Sequence, residues 1–342
     1  MGVLFSKDVD SFNTPPAIRI VNKRIALTDY RYLVRADLTF QALGESHGTE
    51  YPYLENQRFL KQLLPLPSFL LLPLNRYRLP YETAESGAVH SLAQKTVIYL
   101  HGSGSVAEDN SILHRLLLQN GYDLIRISYY IDYNNENIQN PKNADEMMPF
   151  LAEIESRIAP VLVDELKSLL TTIKSYYPDL LGNKEVDIVA HSLGGGIAAN
   201  LISSATSISF DKFINLDGTL MNPAIQEGIV VKQLHLSQDR LFRKEWIKAE
   251  DFTDPLRAIG QDYCRKINML IRHSTNTSMW IQINDASHFT FTDFPNLLKP
   301  YGMFKRFAGD RQTAERIRRY VLNFLMDAND IAVDHQDVIL TM

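Results

Sequence analysis

Ser192 lies in the segment Val186 to Asn200 (VDIVAHSLGGGIAAN), where an apolar run ends in Ala190-His191-Ser192-Leu193-Gly194 and small residues follow. Strand, tight turn and helix in that order present a serine hydroxyl as a nucleophile in the G-x-S-x-G elbow, here with Ala190 in the place of the first glycine. The turn forces strand and helix together, so the positions beside Ser192 need small side chains. Ala190 and the Gly194-Gly195-Gly196 run meet that need. A helix starting behind Ser192 also favours the negative charge that grows during acyl transfer. The competing reading is a phosphate-binding turn of a nucleotide fold. No G-x-G-x-x-G or G-K-[ST] follows any strand-like run to support it.

A serine hydroxyl needs a base, and the chain order for this elbow is serine, acid, histidine. His235, His273, His288 and His335 follow Ser192. His235 sits within an apolar strand, His335 in a polar tail, and His273 ahead of the last predicted strand, as a surface residue. His288 comes just after that strand, on the loop where the base belongs. Two residues close strands between Ser192 and His288 and so compete for the acid: Asp217, after Phe213-Ile214-Asn215-Leu216, and Asp239, after Ser237-Gln238. The more usual placement of the acid, one strand later, favours Asp239, and the tighter apolar setting of Leu216-Asp217-Gly218 favours Asp217. Spacing leaves both open. The oxyanion hole needs two backbone N–H groups, expected from Leu193 and from Ser103 in the His101-Gly102-Ser103-Gly104 turn. His101 and His191 lie too close to the turns they serve to act as bases.

These residues must be carried by elements that bring strand ends together. Thr96–Leu100, Asp123–Ser128, Val186–Ala190, Lys212–Leu216, Gln233–Leu236 and Ser278–Ile283 are apolar runs of strand length. Helical patterns separate most of them. One starts near Asp109 or Asn110, either a suitable N-cap, and ends before Gly121; others run from about Pro149 to Tyr177 and from about Arg311 to Met326. The alternation predicts an α/β domain with a mostly parallel, doubly wound sheet flanked by helices, whose chemistry gathers beyond the carboxyl ends of the strands. We read residues 1–342 as a single domain. Residues 1–95 form an N-terminal extension, with a strand pattern over Tyr30–Phe40 and a helical one over Tyr53–Leu64, and residues 132–148 an insertion loop.

The net charge of −5 and the absence of a dense Lys/Arg cluster argue against a nucleic-acid partner. A single cysteine, Cys264, excludes a disulfide framework and any multi-cysteine metal site. The chemistry expected of the serine, histidine and aspartate needs neither a metal nor a cofactor. No secretory signal pattern opens the sequence, so a cytoplasmic protein, or one released without a recognisable signal, is expected. Gly2 in Met1-Gly2-Val3-Leu4-Phe5-Ser6 matches an N-myristoylation pattern, one short enough to recur by chance. The run Leu63–Leu74 (LLPLPSFLLLPL) is too short and too rich in proline to span a bilayer.

On the His101-Gly102-Ser103-Gly104 turn, the His191-Ser192-Leu193-Gly194-Gly195 elbow, Leu216-Asp217, and His288-Phe289 with Asp293-Phe294, residues 50–300 resemble the platelet-activating factor acetylhydrolase family, in its plasma and type II intracellular branch. The resemblance implies the α/β-hydrolase fold and calcium-independent release of short or oxidised acyl chains from phospholipids. It also implies that the acid is the Asp217 of Leu216-Asp217. Ala190, Gly218-Thr219 and residues 132–148 depart from the family pattern, at positions that bear on the substrate more than on the chemistry. In that family the region matching Leu63–Leu74 meets lipid, which makes Phe69, Leu70 and Leu71 candidates for peripheral membrane contact; a buried role in packing is the competing reading. A lipid or small ester is the expected substrate, a non-lipid carboxylic ester or polyester the first alternative, and a catalytically silent binding module the second.

Overall fold

The computed structural model describes residues 18–43, 48–52, 78–82, 91, 93–139, 141–182, 184–240, 243–297, 309–327 and 331–340. Phe69, Leu70 and Leu71, the rest of Leu63–Leu74, the Tyr53–Leu64 pattern and Gly2 lie outside the described residues. Eleven strands are described: β1 (Ile18–Ala26), β2 (Leu33–Leu43), β3 (Gly48–Pro52), β4 (Arg78–Glu82), β5 (Lys95–Leu100), β6 (Tyr122–Tyr129), β7 (Glu185–His191), β8 (Phe210–Leu216), β9 (Lys232–Gln238), β10 (Ser278–Ile283) and β11 (Val338–Leu340). The main helices are α1 (Ser111–Gln119), α2 (Ala159–Tyr176), α3 (Leu193–Ser203), α4 (Pro255–His273) and α5 (Arg311–Leu325). The turns preceding α2, Met147–Glu153 and the wider-wound Ile154–Ile158, extend it to the length that the sequence pattern predicts.

One nine-stranded sheet runs in the order β1-β2-β6-β5-β7-β8-β9-β10-β11, with β3 and β4 pairing apart from it. From β6 to β10 neighbouring strands are parallel. Strands β1, β2 and β11 pair antiparallel at the two edges. The parallel strands are buried on both faces, which is why they read as continuous apolar runs instead of alternating ones. This is the α/β-hydrolase fold. Among the described residues, no helix is long and apolar enough to cross a membrane.

The chain leaves β5 for β6 on one side and returns to β7 on the other, so the strand order reverses across β5 and β7. A crevice opens at such a switch point beyond the carboxyl ends of the strands. Register sets what faces it. Leu100 pairs with Ala190, His191 with Leu216, and Leu216 with Leu236. Ser192 and Asp217, following β7 and β8, therefore emerge level with each other, with His101, following β5, one residue behind them.

Candidate active site

Ser192 occupies the turn between β7 and α3 with φ 55° and ψ −124°, a left-handed conformation that costs a non-glycine residue on the order of 1–3 kcal/mol. The surroundings enforce it. The Ser192 N–H donates to the Leu216 carbonyl at 3.1 Å, and its own carbonyl accepts from Gly195 at 2.9 Å and Thr219 at 3.1 Å. A side chain at Gly194 would put its Cβ 2.7 Å from the carbonyl oxygens of both Leu100 and His101, so only glycine lets α3 start so close to the end of β5. Ala190, by contrast, is fully buried in β7 without requiring a glycine's backbone.

His288 begins a short helical turn after β10, and its Nε2 lies 3.0 Å from Ser192 Oγ. Its Nδ1 lies 2.7 Å from Asp217 Oδ2. Asp217 is sealed from solvent and takes two further hydrogen bonds, from the backbone N–H of Gln238 at 2.9 Å and its side-chain amide at 2.7 Å. With Nδ1 donating to the carboxylate, Nε2 is free to accept the serine proton, the tautomer that general-base chemistry needs. The end of β9 thus supplies donors to the acid, and the acid itself comes from β8. Asp239, the alternative carboxylate, is not the one on His288 Nδ1. Its backbone N–H is held by the Ile283 carbonyl at 3.3 Å, and its Oδ1 has no hydrogen-bond partner among the described residues. Burial, with the charge of Asp285 beside it, raises the Asp239 carboxyl above its usual range.

Ser103 sits in a turn closed by the Ser105 N–H donating to the Gly102 carbonyl at 3.2 Å. A Cβ at Gly102 would fall 2.8 Å from Ser192 Cβ and 3.3 Å from its Oγ, so the bare backbone lies directly against the serine. Leu193 is the first residue of α3, where backbone N–H groups have no acceptor within the helix. The site thus joins a serine hydroxyl, an imidazole and a buried carboxylate, with two backbone turns beside the hydroxyl. His101 and His191 are buried and neither ring bonds Ser192 Oγ, in keeping with structural roles. His101 accepts from the Tyr129 N–H at 3.2 Å and stacks on the Tyr129 ring, and burial lowers it to about 4. His235 is buried within β9; His273 and His335 are exposed.

Three features were not foreseen. Gln238 gives the Asp217 carboxylate two hydrogen bonds, from its backbone N–H and its side-chain amide. Tyr133 in the 132–148 segment hydrogen bonds the Ser103 hydroxyl and packs on Phe150 with ring centroids 5.2 Å apart, so this segment is packed against the Ser103 turn. An aromatic residue in the polar run Asp132–Asn137 was the available signal. Finally, the N-terminus of α1 is not capped by Asn110. Asp293, five residues beyond His288, accepts from the Ile112 N–H at 3.0 Å and from Arg318 at 3.1 Å, tying the histidine loop to α1 and α5.

No protein-family model and no curated protein sequence matches the chain. Solved structures do. A ferulic acid esterase from Streptomyces cinnamoneus superposes with a TM-score of 0.63 at 16% identity, over 97% of this chain and 99% of that one. A dienelactone hydrolase from Anabaena variabilis has a TM-score of 0.42 at 12% identity, over 83% and 95%. A dienelactone hydrolase-like promiscuous phosphotriesterase from metagenomic libraries has a TM-score of 0.46 at 12% identity, over 91% and 98%. At these identities, likeness speaks to the fold alone.

Proposed function

We propose that the protein is a serine hydrolase of carboxylic esters. One observation carries the reading: the continuous chain from Asp217 through His288 to Ser192, at 2.7 and 3.0 Å. Ser192 Oγ attacks the ester carbonyl carbon as its proton passes to His288 Nε2. The negative oxygen is held by the backbone N–H groups of Leu193 and Ser103. Collapse of the tetrahedral intermediate breaks the bond to the alkoxy group, which leaves as the alcohol with the proton from His288. Water, activated by the same imidazole, then releases the acid from Ser192. Asp217 fixes the ring tautomer and favours the imidazolium without itself taking the proton.

For the acyl group, the sequence resemblance to platelet-activating factor acetylhydrolases supports short or oxidised chains on phospholipids, reached by docking Phe69, Leu70 and Leu71 on a lipid surface. The fold shared with a ferulic acid esterase adds small esters of aromatic acids to the set to be tried. Hydrolysis of p-nitrophenyl acetate, methyl ferulate and vesicles of short-acyl phosphatidylcholine, by the wild type and by Ser192→Ala, tests both levels. Ester cleavage that vanishes in Ser192→Ala supports the class; no cleavage of any ester, or cleavage surviving the substitution, overturns it. A vesicle activity lost selectively in the Phe69→Ser, Leu71→Ser double variant supports lipid docking, and equal loss on the soluble ester contradicts it.

A further inference from the structure

His191, the residue before the nucleophile, is buried with its ring 4.7 Å from that of His288. Its Nε2 lies 3.2 Å from the His288 carbonyl oxygen. A carbonyl only accepts, so Nε2 carries the hydrogen and Nδ1 of the neutral ring is a bare acceptor. That Nδ1 has no hydrogen-bond partner and lies 3.9 Å from Asp109 Oδ2. Asp109 is itself buried, and its two oxygens accept from the hydroxyls of Tyr99 and Ser105, each at 2.5 Å. Two acceptors facing each other away from water repel unless one holds a proton. Burial keeps His191 well below the usual imidazole range, and it pushes the Asp109 carboxyl up to about 7. Of the two, Asp109 therefore holds a proton the more readily.

We infer that Asp109 is a positioning residue of the proposed hydrolase: buried behind His191, whose Nε2–H holds the His288 carbonyl, its carboxylate favours by its charge the imidazolium that His288 becomes. The inference rests on the hydrolase reading. The Asp109 proton leaves to water, while the Ser192 proton passes to His288 Nε2; no other group changes its protonation.

The groups around the pair come from several elements. Tyr99 of β5 and Ser105 of the following loop donate to Asp109 and favour its ionised form. Asp293, paired with Arg318 of α5, opposes ionisation by its charge, and His288 favours it. His101 disfavours a cation on His191. Tyr129 of β6 feels the Asp109 charge, and His114 of α1 packs edge-on to the Tyr99 ring. Asp109 is thus the ionisable carboxyl poised to change charge near neutrality beside the base, and the reacting centre should register that change.

The rate at which a fluorophosphonate labels Ser192, followed from pH 5 to 9, tests this. In the wild type the rate should climb through two ionisations, the second of them that of Asp109, near pH 7. Asp109→Asn should remove the second step and leave a plateau about fivefold lower. Ser105→Ala, which takes away a donor that favours the carboxylate, should instead move the second step to higher pH and keep the final plateau. A purely structural role would lower all rates without moving either step. Wild-type labelling with a single ionisation, or a Ser105→Ala profile superposing on the wild type, overturns the inference and leaves the hydrolase reading standing. Should Asp109→Asn fail to fold, the Ser105→Ala profile decides alone. No labelling of the wild type at any pH overturns the hydrolase reading and the inference with it.

Discussion

Asp217 and Asp187 belong to adjacent strands of one sheet, and both are buried. Asp217, at the carboxyl edge, accepts hydrogen bonds from the N–H and side-chain amide of Gln238 and from His288. Asp187, near the amino end of β7, has no hydrogen-bond partner on either oxygen. Its compensation is at a distance, from the charges of Lys212 and Lys95. Lys212, fully buried, spends its own bonds on the Leu325 carbonyl at 2.8 Å and on Asp327 at 2.6 Å. Burial consequently pushes Asp187 up to about 7. A buried charge is tolerated where donors converge on it and is otherwise given up as a proton. The two edges show both solutions, and the hydrogen-bonded chain from Asp217 through His288 to Ser192 lies at the edge where the donors converge.

The largest break in this contrast is Asp217→Asn. The amide presents the wrong hydrogen-bonding face to His288 Nδ1 and favours the unproductive tautomer, so kcat should fall about 10³- to 10⁴-fold. Steady-state kinetics on a soluble ester reads it, and a loss below tenfold would contradict the assignment. Gln238→Ala removes one of the two donors that Gln238 gives Asp217 while the backbone N–H remains. The loss is worth about 1–2 kcal/mol of positioning, roughly tenfold in kcat. An unchanged kcat would show that the backbone donor suffices.

At the other edge the readout is stability. The Asp187 carboxyl is raised in the folded state, so between about pH 4 and 7 the native protein holds a proton that the unfolded chain has released. Stability is full below that window and falls as the pH rises through about 7. Asp187→Asn removes the penalty, and urea unfolding should show it roughly 1–3 kcal/mol more stable than the wild type at pH 8 with no gain at pH 4. The same difference at both pH values would contradict this account. Asp239→Asn should be the mildest in kinetics, changing kcat by less than about threefold, within the range of substitutions away from the reacting groups. A loss approaching that of Asp217→Asn would reassign the acid.

The central strands and the elbow were legible because burial on both faces leaves uninterrupted apolar runs, and because the packing around Ser192 restricts residue types within five consecutive positions. His288 was legible from its place after the last parallel strand. Spacing left Asp217 and Asp239 open, since each closes a strand and their difference lies in three dimensions, and only the resemblance implied Asp217. Gln238 donates to Asp217 across 21 residues, and no periodicity encodes that pairing. The same holds for Asp293, which caps α1 from 181 residues away, where local reading proposed Asp109 or Asn110. Asp109 instead turns its carboxylate to Tyr99 and Ser105. Strands β1 and β11 went unread as well: β1 (IRIVNKRIA) carries charges along an edge, and β11 has only three residues. Edge strands with one partner carry little of the apolar signal on which such reading depends.

The central claim is that an acyl group is carried on Ser192. It is tested most directly by mixing the protein with an activated short-chain ester, quenching in acid within the first turnover, and mapping the added mass by peptide mass spectrometry. The account predicts one acyl group on the peptide containing Ser192, and none in Ser192→Ala, whose turnover falls by about 10⁴-fold or more. An acyl group on another residue, or turnover that persists in Ser192→Ala, would contradict it.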